Sequence, residues 1–252
     1  MAGVAGIGRR IVLPSVPRKA KFLATPAGTA ELGVSPMRYR TVLFDLDGTL
    51  VDAFTTIHRS YVHTLPQFGY PAPTMAEVRA AVGGGLEQAI ARFVPPELVA
   101  RVKAVHMEFS QRILLEDVTL LGGARELLEA LNARGVACAV YTNKYGPSAR
   151  RICAHLGVDP LLRAVYGAGD TAWLKPQHEF TAHVLGALGA DAATTCLVGD
   201  SPFDVEAALN GSLGFAGVTT GTHSAPELAA AGGAAVYASL PEIAGAWGLS
   251  RA

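Results

Sequence analysis

The stretch TVLFDLDGTLVD, residues 41–52, runs an apolar segment into two carboxylates, Asp45 and Asp47, one residue apart and followed by Gly48. A short apolar run that stops at polar residues and glycine reads as a buried strand. Side chains alternate along an extended strand, so residues i and i+2 point the same way and both acids can reach one group held beyond its carboxyl end. The same pattern recurs in VACAVYT (136–142), RAVYGA (163–168), TTCLVG (194–199) and LGFAGVT (213–219). Between them, ARELLEALNAR (124–134) and PSARRICAHLG (147–157) carry apolar residues at helical spacing and stop near glycine. Alternation of this kind predicts an α/β fold, a Rossmann-like doubly wound parallel sheet covered by helices on both faces.

One connection breaks the rhythm. A crossover helix usually takes about 10–15 residues, whereas residues 47–135 separate the first strand from the second, and no strand is expected among them. Residues 53–120 therefore read as an inserted helical subdomain built from TTIHRSYVHTLPQF, MAEVRAAV and PELVARVKAVHMEFSQRILLE. PAP (71–73), VPP (94–96) and GGG (83–85) punctuate it. The expected organisation is a basic N-terminal extension over 1–38, an α/β core formed by 39–52 and 121–252, and a helical cap over 53–120.

Half of the 252 residues are hydrophobic and 17% are charged, which fits a globular chain with a substantial core. The formal net charge of zero conceals an asymmetry: residues 1–40 hold Arg9, Arg10, Arg18, Lys19, Lys21, Arg38 and Arg40 against Glu31, so the rest of the chain is acidic. The N-terminal stretch reads as a disordered basic extension in a cytoplasmic protein; an organelle transit peptide or a start at Met37 are the alternatives. An acidic remainder offers no basic stripe for a nucleic-acid backbone, and the uncharged stretches fall short of the ~20 apolar residues of a membrane span. Neither nucleic acid nor membrane is an expected partner, and oligomeric state is open. Cys138, Cys153 and Cys196 lie in apolar surroundings without metal-type spacing, as buried free thiols do.

In an open parallel sheet, ligands bind beyond the carboxyl ends of the strands, near the point where strand order reverses. There the first strand offers Asp45 and Asp47, the second Thr142, Asn143 and Lys144, and the fourth Asp200, Ser201 and Asp204, while Lys175 follows the third. Pro147, Pro176 and Pro202 each look like the first residue of a helix, which would aim the preceding loops at one crevice. An anion would meet the Thr142 hydroxyl, the Asn143 backbone amide and the Lys175 ammonium. Three aspartates make a site for a hard cation. At about 4 Å and an effective dielectric near 20, each carboxylate opposes each phosphate charge by ~4 kcal/mol, more than one lysine offsets, so a divalent ion is expected. Magnesium suits a site with few protein carboxylates and shared water and phosphate ligands.

These residues resemble the motifs of the haloacid-dehalogenase superfamily, in its phosphoglycolate-phosphatase-like branch with a small helical cap. The likeness spans residues 41 to about 240 and rests on DLDGT (45–49), Thr142 in YTNK, Lys175 in LKP and GDSPFD (199–204), in that order. It implies a magnesium-dependent hydrolase of a small phosphorylated metabolite. Asp45 would be the nucleophile that forms an aspartyl-phosphate, and Asp47 the acid that protonates the leaving alkoxide and then activates water. Thr142, Asn143 and Lys175 would bind phosphate. Asp45, Asp200 and the carbonyl of Asp47 would hold Mg²⁺, with Asp204 and Ser201 in support. A sugar phosphomutase of the same superfamily is the alternative outcome, and a non-catalytic metal- or phosphate-binding protein the alternative from another class.

Plainer readings stand beside these. D-x-D-G also opens a calcium loop, but its twelfth position from Asp45 is Thr56 rather than glutamate. Asp204 would favour a helix N-terminus whatever the function. His58, His63 and His223 read as solvated or core histidines, and Lys144 and His178, close to the crevice, as surface residues, with substrate contact the near alternative for each. Asp52-Ala53-Phe54 and Lys175-Pro176-Gln177-His178 depart from the family's usual residues and leave the identity of the substrate open.

Overall fold

The computed structural model describes residues 38–249; the proposed extension, apart from Arg38, lies outside them. In chain order come β1 (Thr41–Phe44), β2 (Val51–Asp52), α1 (Phe54–Thr64), α2 (Met75–Ala81), α3 (Leu86–Ile90), α4 (Pro96–Ile113), β3 (Thr119–Leu120) and α5 (Ala124–Ala133). They are followed by β4 (Ala137–Tyr145), α6 (Gly146–His155), β5 (Ala164–Ala168), α7 (His178–Leu188), β6 (Thr195–Gly199) and α8 (Pro202–Asn210). The described chain closes with β7 (Gly214–Val218), α9 (Ala225–Ala230), β8 (Val236–Tyr237) and α10 (Leu240–Ala246).

Six strands form one parallel sheet in the order β5-β4-β1-β6-β7-β8. The chain fills one half outward from β1, returns beside β1 as β6 and fills the other half. This is the doubly wound arrangement predicted from the sequence, with its reversal between β1 and β6. Burial on both faces explains the unbroken apolar strands. Alternation divides β1 between two cores: Val42 and Phe44 pack with Leu127, Leu128 and Ile152 of α5 and α6, and Leu43 packs with Phe180, Val184 and Ala207 of α7 and α8.

The long connection between β1 and β4 carries α1 to α5, with Tyr61, Leu65, Val78, Ile90 and Val102 forming a separate buried cluster. The expectation of no strand there requires correction. β2 and β3 pair antiparallel, Val51 with Leu120 and Asp52 with Thr119, at the two points where the chain leaves and rejoins the sheet. Two residues are too few to produce a periodic signal, which also explains why β8 was not foreseen. α3, five residues just after the GGG turn, was likewise too short to be foreseen.

Pro176 is a second correction. Pro202 opens α8 and Pro147 lies in the first turn of α6, but α7 begins at His178. Leu174–Gln177 forms a turn closed by Gln177 N–H donating to the Leu174 carbonyl at 2.8 Å, so the helix starts two residues later. Cys138, Cys153 and Cys196 are free and buried. No helix among the described residues is long and apolar enough to cross a membrane.

Candidate active site

The reversal point sets Asp45, just past β1, beside Asp200, just past β6, and the Asp45 N–H donates to the Val198 carbonyl at 2.9 Å. Gly48 turns the chain immediately afterward with φ 89°, and a Cβ there would lie 2.8 Å from Asp200 Oδ2 and 2.7 Å from Gly221 Cα. Glycine is needed both for the left-handed backbone and for this close approach. Thr49 Oγ1 donates to Asp200 Oδ1 at 2.9 Å. Thr222 donates to Asp200 Oδ2 through its N–H at 2.8 Å and its hydroxyl at 2.9 Å. Asp200 is thereby held on both oxygens.

Asp204 sits in the first turn of α8, where its Oδ2 accepts from Ser201 N–H at 3.0 Å and Ser201 Oγ at 2.6 Å in a capping box. Its Oδ1 accepts from Lys175 Nζ at 2.6 Å. The helix-start reading and the site reading of Asp204 therefore coexist. Lys175 Nζ also lies 2.9 Å from Asp45 Oδ1. That contact is ionic but not aligned as a hydrogen bond, so Asp45 Oδ1 is buried without a hydrogen-bond partner.

Asp45, Asp200 and Asp204 each offer an oxygen within 4.8 Å of the others, and all three are buried. Burial first, and then the neighbouring Asp45 and Asp204 carboxylates, hold Asp200 far above the ordinary carboxylate range. Burial pulls Lys175 down, but Asp204 and Asp45 outweigh it and keep the ammonium firmly charged. Three buried carboxylates with only one lysine among them fit a hard divalent cation with oxygen ligands.

Asp47 faces another way. Both of its carboxylate oxygens accept from Lys144 Nζ, at 2.9 and 3.0 Å. Burial raises its pKa against the pull of Lys144, and Asp45 adds to the rise. Thr142 is buried within β4, which runs three residues beyond the end read from the sequence, and its Oγ1 accepts from the Lys144 N–H at 3.2 Å. Asn143 acts through its side chain: Nδ2 donates to the carbonyls of Gly83 (2.9 Å) and Lys175 (3.0 Å), while Oδ1 accepts from Lys175 N–H (2.8 Å). Sequence reasoning considered only its backbone amide, and for Lys144 weighed a surface role against substrate contact but not a pairing with Asp47. Its position two residues past Thr142 on the same strand was the available signal. His178 instead packs its Nδ1 against the Asn210 carbonyl at 3.0 Å, and His58, His63 and His223 stay out of the acidic cluster.

A cavity of about 130 Å³ opens from Asp45 and Asp47 into the helical insert. Its walls come from α1, the 82–86 turn, α4 and the end of β4. His106 on α4, unmentioned by the sequence reading, lines it as a buried residue.

Comparison with known proteins agrees with this arrangement. Residues 42–218 match the model of the haloacid dehalogenase-like hydrolase family. The chain is 33% identical to the probable phosphatase IndB of Dickeya dadantii, over 81% of this chain and 92% of that protein. It is 28% identical to a phosphoglycolate phosphatase of Yersinia pestis, over 83% of this chain and 94% of that one. Among solved structures, a haloacid dehalogenase-like family hydrolase from Streptococcus pneumoniae superposes with a TM-score of 0.76 at 20% identity, covering 83% of this chain and 99% of that one, and so shares the fold. The sheet, the order of its motifs and the family match together establish that this chain belongs to the haloacid dehalogenase-like hydrolases.

Proposed function

We propose that the chain is a magnesium-dependent phosphomonoester hydrolase that acts on a small phosphorylated metabolite through an aspartyl-phosphate on Asp45. The observation that carries this reading is the buried Asp45 carboxylate, paired with the Lys175 ammonium at 2.9 Å and set within a triad of buried acids. Three buried carboxylates around one ammonium are costly unless a ligand or a reaction uses them. Names of similar proteins point the same way, toward phosphatases.

In this reading Asp45 attacks phosphorus, the P–O bond to the alcohol breaks, and the departing oxygen takes the proton of Asp47. Water then gives its proton back to Asp47 and attacks the acyl phosphate, releasing inorganic phosphate and restoring Asp45. Lys175 and Thr142 hold the phosphoryl oxygens, while Asn143 fixes the Lys175 backbone and so keeps the ammonium in place. Asp45, Asp200 and the carbonyl of Asp47 would hold Mg²⁺, which supplies charge neutralisation for the phosphoryl oxygens. Asp204 would steady the site by pairing with Lys175. Residues 53–120 would serve as the cap that excludes water and selects the substrate, with 39–52 and 121–252 as the core.

The test is phosphate release from a panel of small phosphoesters with and without Mg²⁺. Turnover that needs the metal and yields stoichiometric free phosphate supports hydrolysis over a mutase outcome. No release from any ester, or full release in excess chelator, contradicts it.

A further inference from the structure

We propose that the cavity beside Asp45 and Asp47 takes an uncharged leaving group, an alcohol with an apolar face and a hydroxyl or amide edge, and that His106 and Thr56 read that edge. This inference rests on the phosphatase reading and specifies its substrate class.

Charge comes first. Among the residues lining the cavity the only lysine is Lys144, with no arginine, and both hydrogen bonds given to its ammonium go to Asp47. Lys175, which is buried, lies outside the cavity lining and is bound to Asp204 and Asp45. A substrate bearing a carboxylate would bring a second anion into a space already walled by Asp45 and Asp47, with no free cation to receive it. Desolvating a charge without a partner is among the most unfavourable events in a protein interior.

The walls fit something apolar. Ile57, Val82, Leu86, Ala89, Met107 and Leu114 are among the cavity's lining side chains, and the Tyr61 ring lies 4.6 Å from the His106 ring.

The polar groups separate into two kinds. Ser60 donates to the Thr56 carbonyl at 3.0 Å, Ser110 to the Met107 carbonyl at 3.1 Å, and Gln111 bonds both Ser148 (2.6 Å) and Arg151 (2.9 Å). Those side chains are already satisfied. Thr56 and His106 are not: the Thr56 hydroxyl and the His106 Nδ1 are buried without partners, in residues only 4% and 5% exposed. They sit on α1 and α4, on the insert side of the cavity and away from the reacting carboxylates. Burial, reinforced by the Lys144 charge, pushes the His106 pKa down to about 4, so its ring is neutral at physiological pH and offers one donor and one acceptor. A neutral imidazole and a hydroxyl match hydroxyl, carbonyl or amide groups and give a carboxylate no counter-charge.

Nucleosides and polyols both carry such an edge, so the experiment includes one of each. Steady-state kcat/KM is measured with Mg²⁺ for uridine 5′-monophosphate, glycerol 1-phosphate, 2-phosphoglycolate and p-nitrophenyl phosphate, in the wild type and in His106→Phe and Thr56→Val. The expected result is that the better of the first two exceeds 2-phosphoglycolate by at least about 100-fold. Either folded variant should cut that ratio by about tenfold or more, chiefly through KM. Uridine ahead of glycerol assigns the aromatic source, and the reverse order the polyol. A 2-phosphoglycolate value within tenfold of the better neutral ester overturns the inference, as does a ratio unmoved in both variants, while hydrolysis of p-nitrophenyl phosphate leaves the phosphatase reading standing. No release from any of the four esters overturns that reading and this inference with it.

Discussion

Lys144 Nζ grips both carboxylate oxygens of Asp47, at 2.9 and 3.0 Å, in a partly enclosed pocket where both side chains are largely shielded from water. The pair opposes burial: desolvation and Asp45 raise the Asp47 pKa, and Lys144 lowers it. In the proposed mechanism Asp47 gives up a proton and takes it back, and such a group works best when its pKa lies near the working pH, so the balance would bear on rate.

Replacing Lys144 by Met removes the lowering influence and leaves the raising ones. The expected outcome is that the limb of the pH–rate profile belonging to Asp47 moves to higher pH, with a loss of roughly 10- to 100-fold in kcat at neutral pH. The full profile of kcat against pH checks this; an unshifted limb would show that Lys144 does not tune Asp47.

Asn143 ties the 82–86 turn of the insert to the Lys175 loop of the core through three hydrogen bonds. Asn143→Ala leaves the buried Lys175 N–H without its acceptor and two carbonyls without their donor. A destabilisation of about 2 kcal/mol is expected in denaturant unfolding, with a larger fall in kcat than that loss of folded protein accounts for.

The acidic triad makes a prediction about metal-free protein. With Asp45, Asp200 and Asp204 crowded together and only Lys175 among them, removing one acid relieves repulsion. In Asp200→Asn the new amide nitrogen faces a donor from Thr49 or Thr222, which offsets the relief of repulsion in chelator, while the rise in Tm expected from Mg²⁺ in the wild type should disappear. Thermal melts with and without Mg²⁺ measure both quantities, and an undiminished metal effect would remove Asp200 from the ligand set.

His106 also leaves a mark on acid stability. Its folded pKa, about 4, lies below the ordinary 6.5, so between those values the unfolded chain binds the proton and the folded chain does not. Stability from this residue is thus complete above pH 6.5 and is lost as pH falls toward 4, by up to about 3 kcal/mol. Unfolding curves at pH 7 and 4.5 should show a smaller acid loss in His106→Phe than in the wild type.

The sheet and its reversal point were legible because buried strands carry a dense signal: Val42 to Phe44 and Cys196 to Val198 are apolar throughout, and glycines and polar residues mark their ends. Asp45, Asp47, Asp200 and Lys175 were legible because they sit at strand ends or just after them, where topology alone brings distant residues together. What escaped depends on side-chain direction and on contacts across the fold. Nothing near Thr222 says that it will cradle an acid 22 residues earlier, and nothing near Asn143 says that its amide will reach Gly83. His106 looked like one more polar position on an amphipathic helix, and only packing against Tyr61 shows that it is buried. β2 and β3 are held by a pairing 69 residues apart, Val51 with Leu120, that no local pattern encodes.

The central claim is that Asp45 carries the phosphoryl group. The direct measurement is to quench the enzyme with acid during turnover of a radiolabelled phosphoester, digest it, and locate the label by peptide mapping. A hydroxylamine-sensitive label on the peptide containing Asp45, absent in Asp45→Asn together with turnover, is the expected result. Full turnover in Asp45→Asn, or label on any other residue, would contradict the account.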